Sequence, residues 1–141
     1  MQTLNRAARA AVCLLLALGF LILPASGQEK SPAEQIAGAW KISVYAGEGG
    51  YFFLDMELSL AEGELRGTIS ESMGSFSNVP LAKILLQENI LSFEFRSVTP
   101  PDGVERLISV EYKVNADKME GEMSVPDLGM IVPSTAERVK K

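Results

Sequence analysis

The stretch LDMELSLAEGELRGTIS, residues 54–70, alternates apolar and polar side chains on both sides of a short turn. Every second position from Leu54 to Leu60 is apolar, and after the turn at 61–63 the same spacing resumes at Leu65 and Ile69. A period of two places successive side chains on opposite faces of a strand. The stretch therefore predicts a β-hairpin whose register is fixed, because a slip by one residue would turn its apolar face to water.

The same unit recurs along the chain. Residues 60–67 match 114–121 in the order apolar residue, polar turn, apolar residue, and 86–91 is a looser copy. Before the first strand, Ser31-Pro32-Ala33-Glu34 is a capping box with proline at the first helical position, which predicts a short helical turn over 32–37. Alternation between turn residues predicts eight strands, at 38–46, 51–60, 64–71, 81–87, 90–98, 105–114, 118–125 and 130–139.

Eight consecutive strands predict an all-β fold, an eight-stranded antiparallel up-and-down β-barrel with a short N-terminal helical turn. Closing the sheet removes the two exposed edges of an open one, and a two-sheet sandwich is the alternative. The closed end of the predicted barrel carries the helical turn and the tight turns 61–63, 88–89 and 115–117. The mouth end carries longer connections with glycine and proline, at 47–50, 72–80, 99–104 and 126–129.

The amino terminus has the pattern of a secretion signal. Arg6 and Arg9 precede an apolar run over 10–23, and small residues follow at Ala25 and Gly27. A helix of this length spans about 21 Å, less than the roughly 30 Å of a bilayer core. We expect a signal peptide at 1–27 and one domain at 28–141, with an uncleaved anchor as the alternative. The predicted location is exported, periplasmic or extracellular, with no stable membrane anchor after cleavage.

The composition argues against several classes of catalytic site, metal site and partner. The chain has no histidine, and its single cysteine, Cys13, lies inside the predicted signal. Residues 28–141 therefore lack a thiol nucleophile, an imidazole base and the usual zinc ligands, and we expect no metal and no cofactor. Of 13 basic residues, two lie in the signal, so 11 remain against 18 acidic residues, a formal charge of −7. Such a charge repels phosphate groups, and no nucleic-acid partner is expected.

Three residues carry a resemblance to a known family. Gly38-Ala39-Trp40 on the first predicted strand is similar to the Gly-x-Trp signature of the lipocalins and their calycin relatives, and Arg138 lies near the end of the last strand. The resemblance to small secreted bacterial lipocalin-like barrels extends over the whole of 28–141 in architecture. It implies that Arg138 packs over the Trp40 ring and closes the bottom of the barrel. The chain is shorter than a typical lipocalin and lacks its carboxy-terminal helix and disulfide.

The residues predicted to face inward are mostly large. Only Gly67, Gly121 and Ala82 are small at these positions, so a filled barrel is expected, and any cavity should be modest and lined by methionine. The large inward residues are Trp40, Ile42, Val44, Leu54, Met56, Leu58, Leu60, Ile84, Leu86, Leu91, Phe93, Phe95, Ile108, Val110, Tyr112, Met119, Met123 and Val125.

The predicted function is non-enzymatic binding of a small apolar or amphipathic ligand at the barrel mouth or interior. The alternative is an accessory or protein-interaction barrel with a filled core that acts through its loop end. Acidic residues at 48, 102 and 127 border the mouth, which favours a neutral or cationic amphipathic partner. The candidate mouth residues are Tyr45, Tyr51, Phe53, Met73, Phe76, Leu128 and Met130.

A carboxylate-based enzyme is the third hypothesis. The pairs Asp55/Glu57 and Glu120/Glu122 each share one face of a strand. That face is opposite the apolar one, so we interpret these carboxylates as solvated surface groups and expect no catalytic residues.

Overall fold

A computed structural model describes residues 27–99 and 101–141. Over this part the chain is an all-β, antiparallel, up-and-down barrel that is nearly closed and carries one short helix. The predicted signal peptide lies outside the described residues except for Gly27. No helix within the described residues has the length and apolar character needed to cross a membrane.

The elements follow the alternation closely. The helix α1 (Pro32–Ile36) begins at the predicted capping box, with the Ser31 hydroxyl accepting from the Glu34 amide and the Glu34 carboxylate accepting from the Ser31 amide. Two single 3₁₀ turns lie at the mouth end, Gly47–Gly49 and Pro126–Leu128. The strands are β1 (Gly38–Tyr45), β2 (Tyr51–Ala61), β3 (Glu64–Glu71), β4 (Val79–Pro80), β5 (Ala82–Gln87), β6 (Ile90–Thr99), β7 (Val104–Asn115), β8 (Lys118–Val125) and β9 (Met130–Arg138).

The prediction of eight strands was wrong by one, because residues 27–99 and 101–141 form nine strands. The additional strand, β4, is the two-residue segment Val79–Pro80 inside the predicted loop 72–80. Asn78 takes a positive φ of 52° and turns the chain back, so that Val79 pairs with Ile69. Two residues are too few to show alternation, and Pro80 has no backbone N–H to donate, so it is compatible only with an edge position.

All nine strands belong to one sheet, in the order β4-β3-β2-β1-β9-β8-β7-β6-β5. The chain therefore does not form the two-sheet alternative. The first strand, β1, pairs with the last strand, β9, and Trp40 is opposite Arg138. This pairing joins the two ends of the chain within the barrel wall. The remaining gap is a seam between β5 and the edge formed by β3 and β4. The Leu81 amide bridges this seam by donating to the Gly67 carbonyl over 2.9 Å. A bulge between Ala82 and Leu85 bends β5 away at this seam.

Side chains fill the interior. Fourteen of the predicted inward residues are buried, while Leu60, Ile84, Leu86 and Val125 are half-buried. Ile84 and Leu86 lie on β5, which pairs with β6 on one side and borders the open seam on the other. The largest fully buried side chains are Trp40, Tyr112, Phe93, Phe95, Ile42, Met56, Leu58, Ile69, Leu91 and Met119.

One polar pair lies within this apolar interior. The Tyr112 hydroxyl and the Ser134 hydroxyl are 2.6 Å apart, and both side chains are buried. Burial raises the pKa of the Tyr112 hydroxyl well above its ordinary value, and the hydrogen bond to Ser134 acts in the opposite direction. Over the described residues, every buried side-chain nitrogen and oxygen has a hydrogen-bond partner. The core is therefore satisfied as it stands.

Candidate functional site

The closed end is built around the Trp40 indole. Its Nε1 donates to the Ile36 carbonyl over 2.8 Å, so the helix α1 caps the ring through its last residue. The guanidinium carbon of Arg138 lies 4.5 Å from the ring centroid, within the range of a cation–π contact. Arg138 also donates to the carbonyls of Ala37 and Gln35 and, through Nε, to the Asp117 carboxylate at 2.8 Å.

Gly38 makes room for this arrangement. Its φ is +127°, and a Cβ at this position would lie 3.1 Å from Nη1 of Arg138. A side chain here would be strained by the backbone and would crowd the guanidinium. Gly38, Trp40 and Arg138 thus form one closure, in which the indole N–H and all three guanidinium nitrogens have partners inside the molecule.

The mouth end presents its side chains differently. Met73 is 94% exposed at the tip of the loop after β3. Phe76, in the same loop, packs its ring 6.1 Å from that of Phe95 and is half-buried, so it covers the top of the core. Leu128, the last residue of the second 3₁₀ turn, and Met130, the first residue of β9, are both exposed.

The three remaining candidates lie together on the outside of the wall. Trp40 and Val44 on β1 and Leu54 on β2 face inward, so Tyr45, Tyr51 and Phe53 have the outward parity of their strands. All three are exposed, Tyr51 most of all at 61%. These residues, the aromatic ladder, occupy the outer face of β1 and β2 at the mouth end.

The rings of the aromatic ladder contact one another. Tyr45 is the register partner of Tyr51, and their ring centroids are 5.2 Å apart at an interplanar angle of 51°. Tyr51 and Phe53 are 6.4 Å apart and nearly parallel, at 18°. Because both strands belong to the closed part of the wall, the backbone holds these rings in place without burying them.

A polar triad supports the lower end of the aromatic ladder. Nζ of Lys41 donates to Oδ1 of Asp55 and to Oγ of Ser72, each over 3.0 Å, and Oγ of Ser72 donates to Oδ2 of Asp55 over 2.9 Å. The Ser72 amide donates to the Phe53 carbonyl, which ties the loop to the strand beside the ladder.

The hydrogen bond from Lys41 is the main cause that lowers the pKa of the Asp55 carboxyl, with help from Ser72. An ionised carboxylate held in this way accepts a proton poorly, so the triad fits a structural role. The sequence places Asp55 with Glu57 on one strand face, but it does not predict the contacts of Asp55 with Lys41 and Ser72. The Lys41–Asp55 pair could have been found from the β1–β2 register, whereas the Ser72 contact depends on the fold of the loop.

Carboxylates also organise two mouth loops. Oε2 of Glu71 accepts from the amides of Met73 and Ser75 and from the Ser75 hydroxyl, at 3.0 to 3.2 Å. The hydrogen bond from the Ser75 amide is the largest cause that lowers the pKa of Glu71. The position of the exposed Met73 is thus set by the carboxylate of its own loop.

The second of these loops joins β6 to β7. Arg106 binds the Asp102 carboxylate through two parallel hydrogen bonds of 2.6 and 2.7 Å, and its Nη1 also donates to the Thr99 hydroxyl. The bonds from Arg106 lower the pKa of Asp102 strongly. Asp102 was predicted as an acidic group on the mouth rim, but it is paired locally, so its charge is offset by the guanidinium.

Shallow grooves lie on the outer surface. One, of about 440 Å³, runs beside the aromatic ladder and is lined by Ser43, Tyr45, Tyr51, Glu120, Gly121, Pro133, Ser134 and Thr135. It combines ring faces with hydroxyl groups and one carboxylate. Among the described residues, no group of three or more histidine, cysteine, aspartate or glutamate side chains is placed to hold a metal ion.

Comparisons of the chain with protein-family models, with curated proteins and with solved structures found no match.

Proposed function

We propose that this protein is an exported, non-enzymatic binding domain that recognises its partner through the mouth end and the aromatic ladder. The observation that carries the proposal is the set of three exposed aromatic rings on rigid strands. Exposed apolar patches on a stable domain mark interaction sites, and aromatic residues are enriched there. Tyrosine adds a hydroxyl to a large apolar face, so the same ring serves polar and apolar contacts.

Because the interior is filled, the proposed binding site lies on the surface of the barrel. Ten large side chains are essentially inaccessible inside the barrel. The grooves described along the wall open to solvent, and the one beside the ladder is of a size that accepts part of a small amphipathic molecule. A ligand at the mouth and outer face therefore agrees better with this geometry than a ligand enclosed in the barrel.

Two further parts of the proposal rest on the sequence. The basic and apolar residues at 1–27 favour export to the periplasm or the medium. The stack of Arg138 on Trp40 supports a lipocalin-like closure of the barrel bottom. Mass spectrometry of exported material tests the first part. The expected chain begins at Gln28, and an intact chain in the membrane would contradict export.

A titration with two detergents tests the binding site. Amide NMR shifts are followed as dodecyltrimethylammonium or dodecyl sulfate is added below the micelle concentration. We expect the cationic detergent to shift amides at 45–53, 72–80, 99–104 and 126–131 more strongly than the anionic one. Shifts concentrated at 61–63, 88–90 and 115–118 would contradict the proposal.

A pair of variants controls for unspecific apolar binding. Ile90 is also an exposed apolar residue, but it begins β6 beside the tight turn at the closed end. Tyr51→Ala should reduce the shifts and Ile90→Ala should leave them unchanged. Equal effects of the two substitutions would show that the detergent binds any exposed apolar group.

A further inference from the structure

The aromatic ladder is one end of a row that crosses five strands. Tyr51 pairs with Tyr45, and one step beyond the pair Val44–Ser134 the β1–β9 register brings Tyr45 beside Pro133. Pro133 is opposite Glu122, and Glu122 is opposite Glu111. Neighbouring strands are about 4.8 Å apart, so four steps place the two ends of the row about 19 Å apart. The row begins with aromatic rings and ends with carboxylates.

The carboxylate end contains a contact that does not stabilise the barrel. Like charges directly opposite each other on an antiparallel pair are unfavourable, and Glu111 and Glu122 are such a pair. Both side chains are exposed, and neither takes part in an ion pair within 27–99 or 101–141. Glu120, by contrast, has Lys113 as its register partner. A positive charge from outside the chain would relieve the repulsion between Glu111 and Glu122.

We propose that this row binds a basic amphipathic peptide segment of a partner protein; this rests on the proposed function and names its partner class. An arginine or lysine at one end of the segment would pair with Glu111 and Glu122. Apolar or aromatic side chains at the other end would lie on the rings of Tyr45 and Tyr51 and on the exposed Ile131. Arginine suits both halves, because its guanidinium pairs with carboxylates and stacks on aromatic faces.

Charge complementarity selects this partner over the other occupants of such a face. A second copy would carry the same formal charge of −7 over residues 28–141, from 11 basic and 18 acidic residues. Two such surfaces repel each other, and an anionic membrane is repelled for the same reason. At about 3.3 Å per residue, an extended segment of about six residues spans the row.

Two peptides of matched length test the proposal on the exported protein. The first has three arginines, one glycine and three leucines, and the second has glutamates in place of the arginines. Affinity is measured by calorimetry at low and at physiological salt. We expect only the arginine peptide to bind, and its affinity to fall as salt rises. Equal binding of both peptides, or binding to phosphatidylcholine vesicles instead of either, would overturn the proposal.

Three variants separate this inference from the proposed function. The double substitution Glu111→Gln, Glu122→Gln should weaken the arginine peptide about tenfold, a difference of about 1.4 kcal/mol in binding free energy, and should raise the melting temperature slightly. Glu64→Gln, at the closed end, is the matched control and should change neither. Tyr51→Ala should weaken binding as well.

The two variants at the row give distinguishable failures. If Tyr51→Ala weakens binding and the double glutamine variant does not, the aromatic ladder binds a partner without the carboxylates, and only the charge inference is overturned. If neither substitution weakens binding, the proposed binding surface is itself wrong.

Discussion

The closed end and the mouth end of the barrel each contain a half-buried arginine with several hydrogen-bond partners. The two arginines differ in how far along the chain these partners lie. Arg138 joins β9 to the helix α1, to the residue before β1 and to the turn at Asp117, with partners as far as 103 positions away in sequence. Among the described residues, Arg106 hydrogen-bonds Asp102 and Thr99, both within seven positions. The first arginine holds the whole barrel together, and the second shapes one loop.

The comparison shows which side chains the fold engages inside the molecule and which it leaves exposed to water. At the closed end, the Trp40 ring and its N–H are fully engaged inside the molecule. At the mouth end, Tyr45, Tyr51 and Phe53 are held by rigid strands but face water. Substitutions at the closed end should therefore change stability, and substitutions at the aromatic ladder should change binding.

Replacement of the buried indole gives the largest expected effect. Trp40→Ala removes a fully buried ring and should lower the free energy of unfolding by about 3–5 kcal/mol, enough to prevent folding of a domain of this size. Thermal or urea unfolding measures the loss. Tyr51→Ala is the mouth-end counterpart and should change stability by less than about 0.5 kcal/mol. A melting temperature lowered by only a degree or two in Trp40→Ala would contradict the closed-end assignment.

Two glycines, one in the wall and one in a mouth turn, give the second largest expected difference in stability. A Cβ at Gly121, in β8, would overlap the Glu111 carbonyl oxygen on the neighbouring strand, whereas a Cβ at Gly49 in the mouth turn would meet only Ala46 at an ordinary 3.8 Å. Gly121→Ala should destabilise the barrel by about 3 kcal/mol, at the upper end of overpacking effects. Gly49→Ala should be close to neutral. The urea midpoint of each variant decides, and equal midpoints would show that the wall tolerates the extra methyl group.

The two arginines give the third test. Arg138→Ala should cost about 2 kcal/mol, because it leaves the Ala37 and Gln35 carbonyls without their donor and removes the stack on Trp40. Arg138→Lys should recover only part of this, since lysine keeps the charge without the planar fork. Arg106→Ala should leave the unfolding midpoint nearly unchanged and alter amide shifts only near 99–106. A large global loss from Arg106→Ala would contradict the distinction between the two ends.

The smallest expected difference between the two ends is in their response to acid. The pKa of Glu71 lies below its ordinary value of 4.5, because amides of its own loop donate to the carboxylate. A lowered pKa means that the stabilisation is complete above the ordinary value and is lost as pH falls through the lowered one. As pH falls below the ordinary value of 4.5 and through the lowered pKa of Glu71, amide shifts at 73–75 should therefore change while the Trp40 fluorescence stays constant. In Glu71→Gln these shifts should no longer depend on pH, and a parallel change at Trp40 would indicate global acid unfolding.

Most of the wall could be predicted from the sequence, because alternation fixes both strand positions and inward parity. The capping box at Ser31 and the inward face from Leu54 to Leu58 agree with the structure. The outward direction of Tyr45 also follows from its position next to the inward Val44, although the prediction for Tyr45 specified only the mouth. Parity along a strand is local information, and it is carried by the sequence itself.

What escaped prediction depends on contacts between distant segments. The strand at Val79–Pro80 exists because the chain folds back onto Ile69, and no pattern of two residues announces this. The contact of Ser72 with Lys41 and Asp55 requires a loop to reach the outside of the wall. In the loop after β3, the Glu71 carboxylate accepts hydrogen bonds from backbone amides. Almost every residue has such an amide, so no pattern of side chains predicts this contact.

The pairing of β1 with β9 also sets the order in which the molecule can be completed. Trp40 is near the beginning of the barrel and its guanidinium partner is the last residue of the last strand. Contacts between such distant parts of a chain form slowly, because the entropy of closing a long loop is lost before the contacts stabilise the fold. During synthesis, hairpins such as that of β2 and β3 can form early, while the first strand keeps an unpaired edge. We therefore expect the barrel to gain most of its stability only after residue 138 has been made, and a chain interrupted before that point to keep the unpaired strand edges of an open sheet.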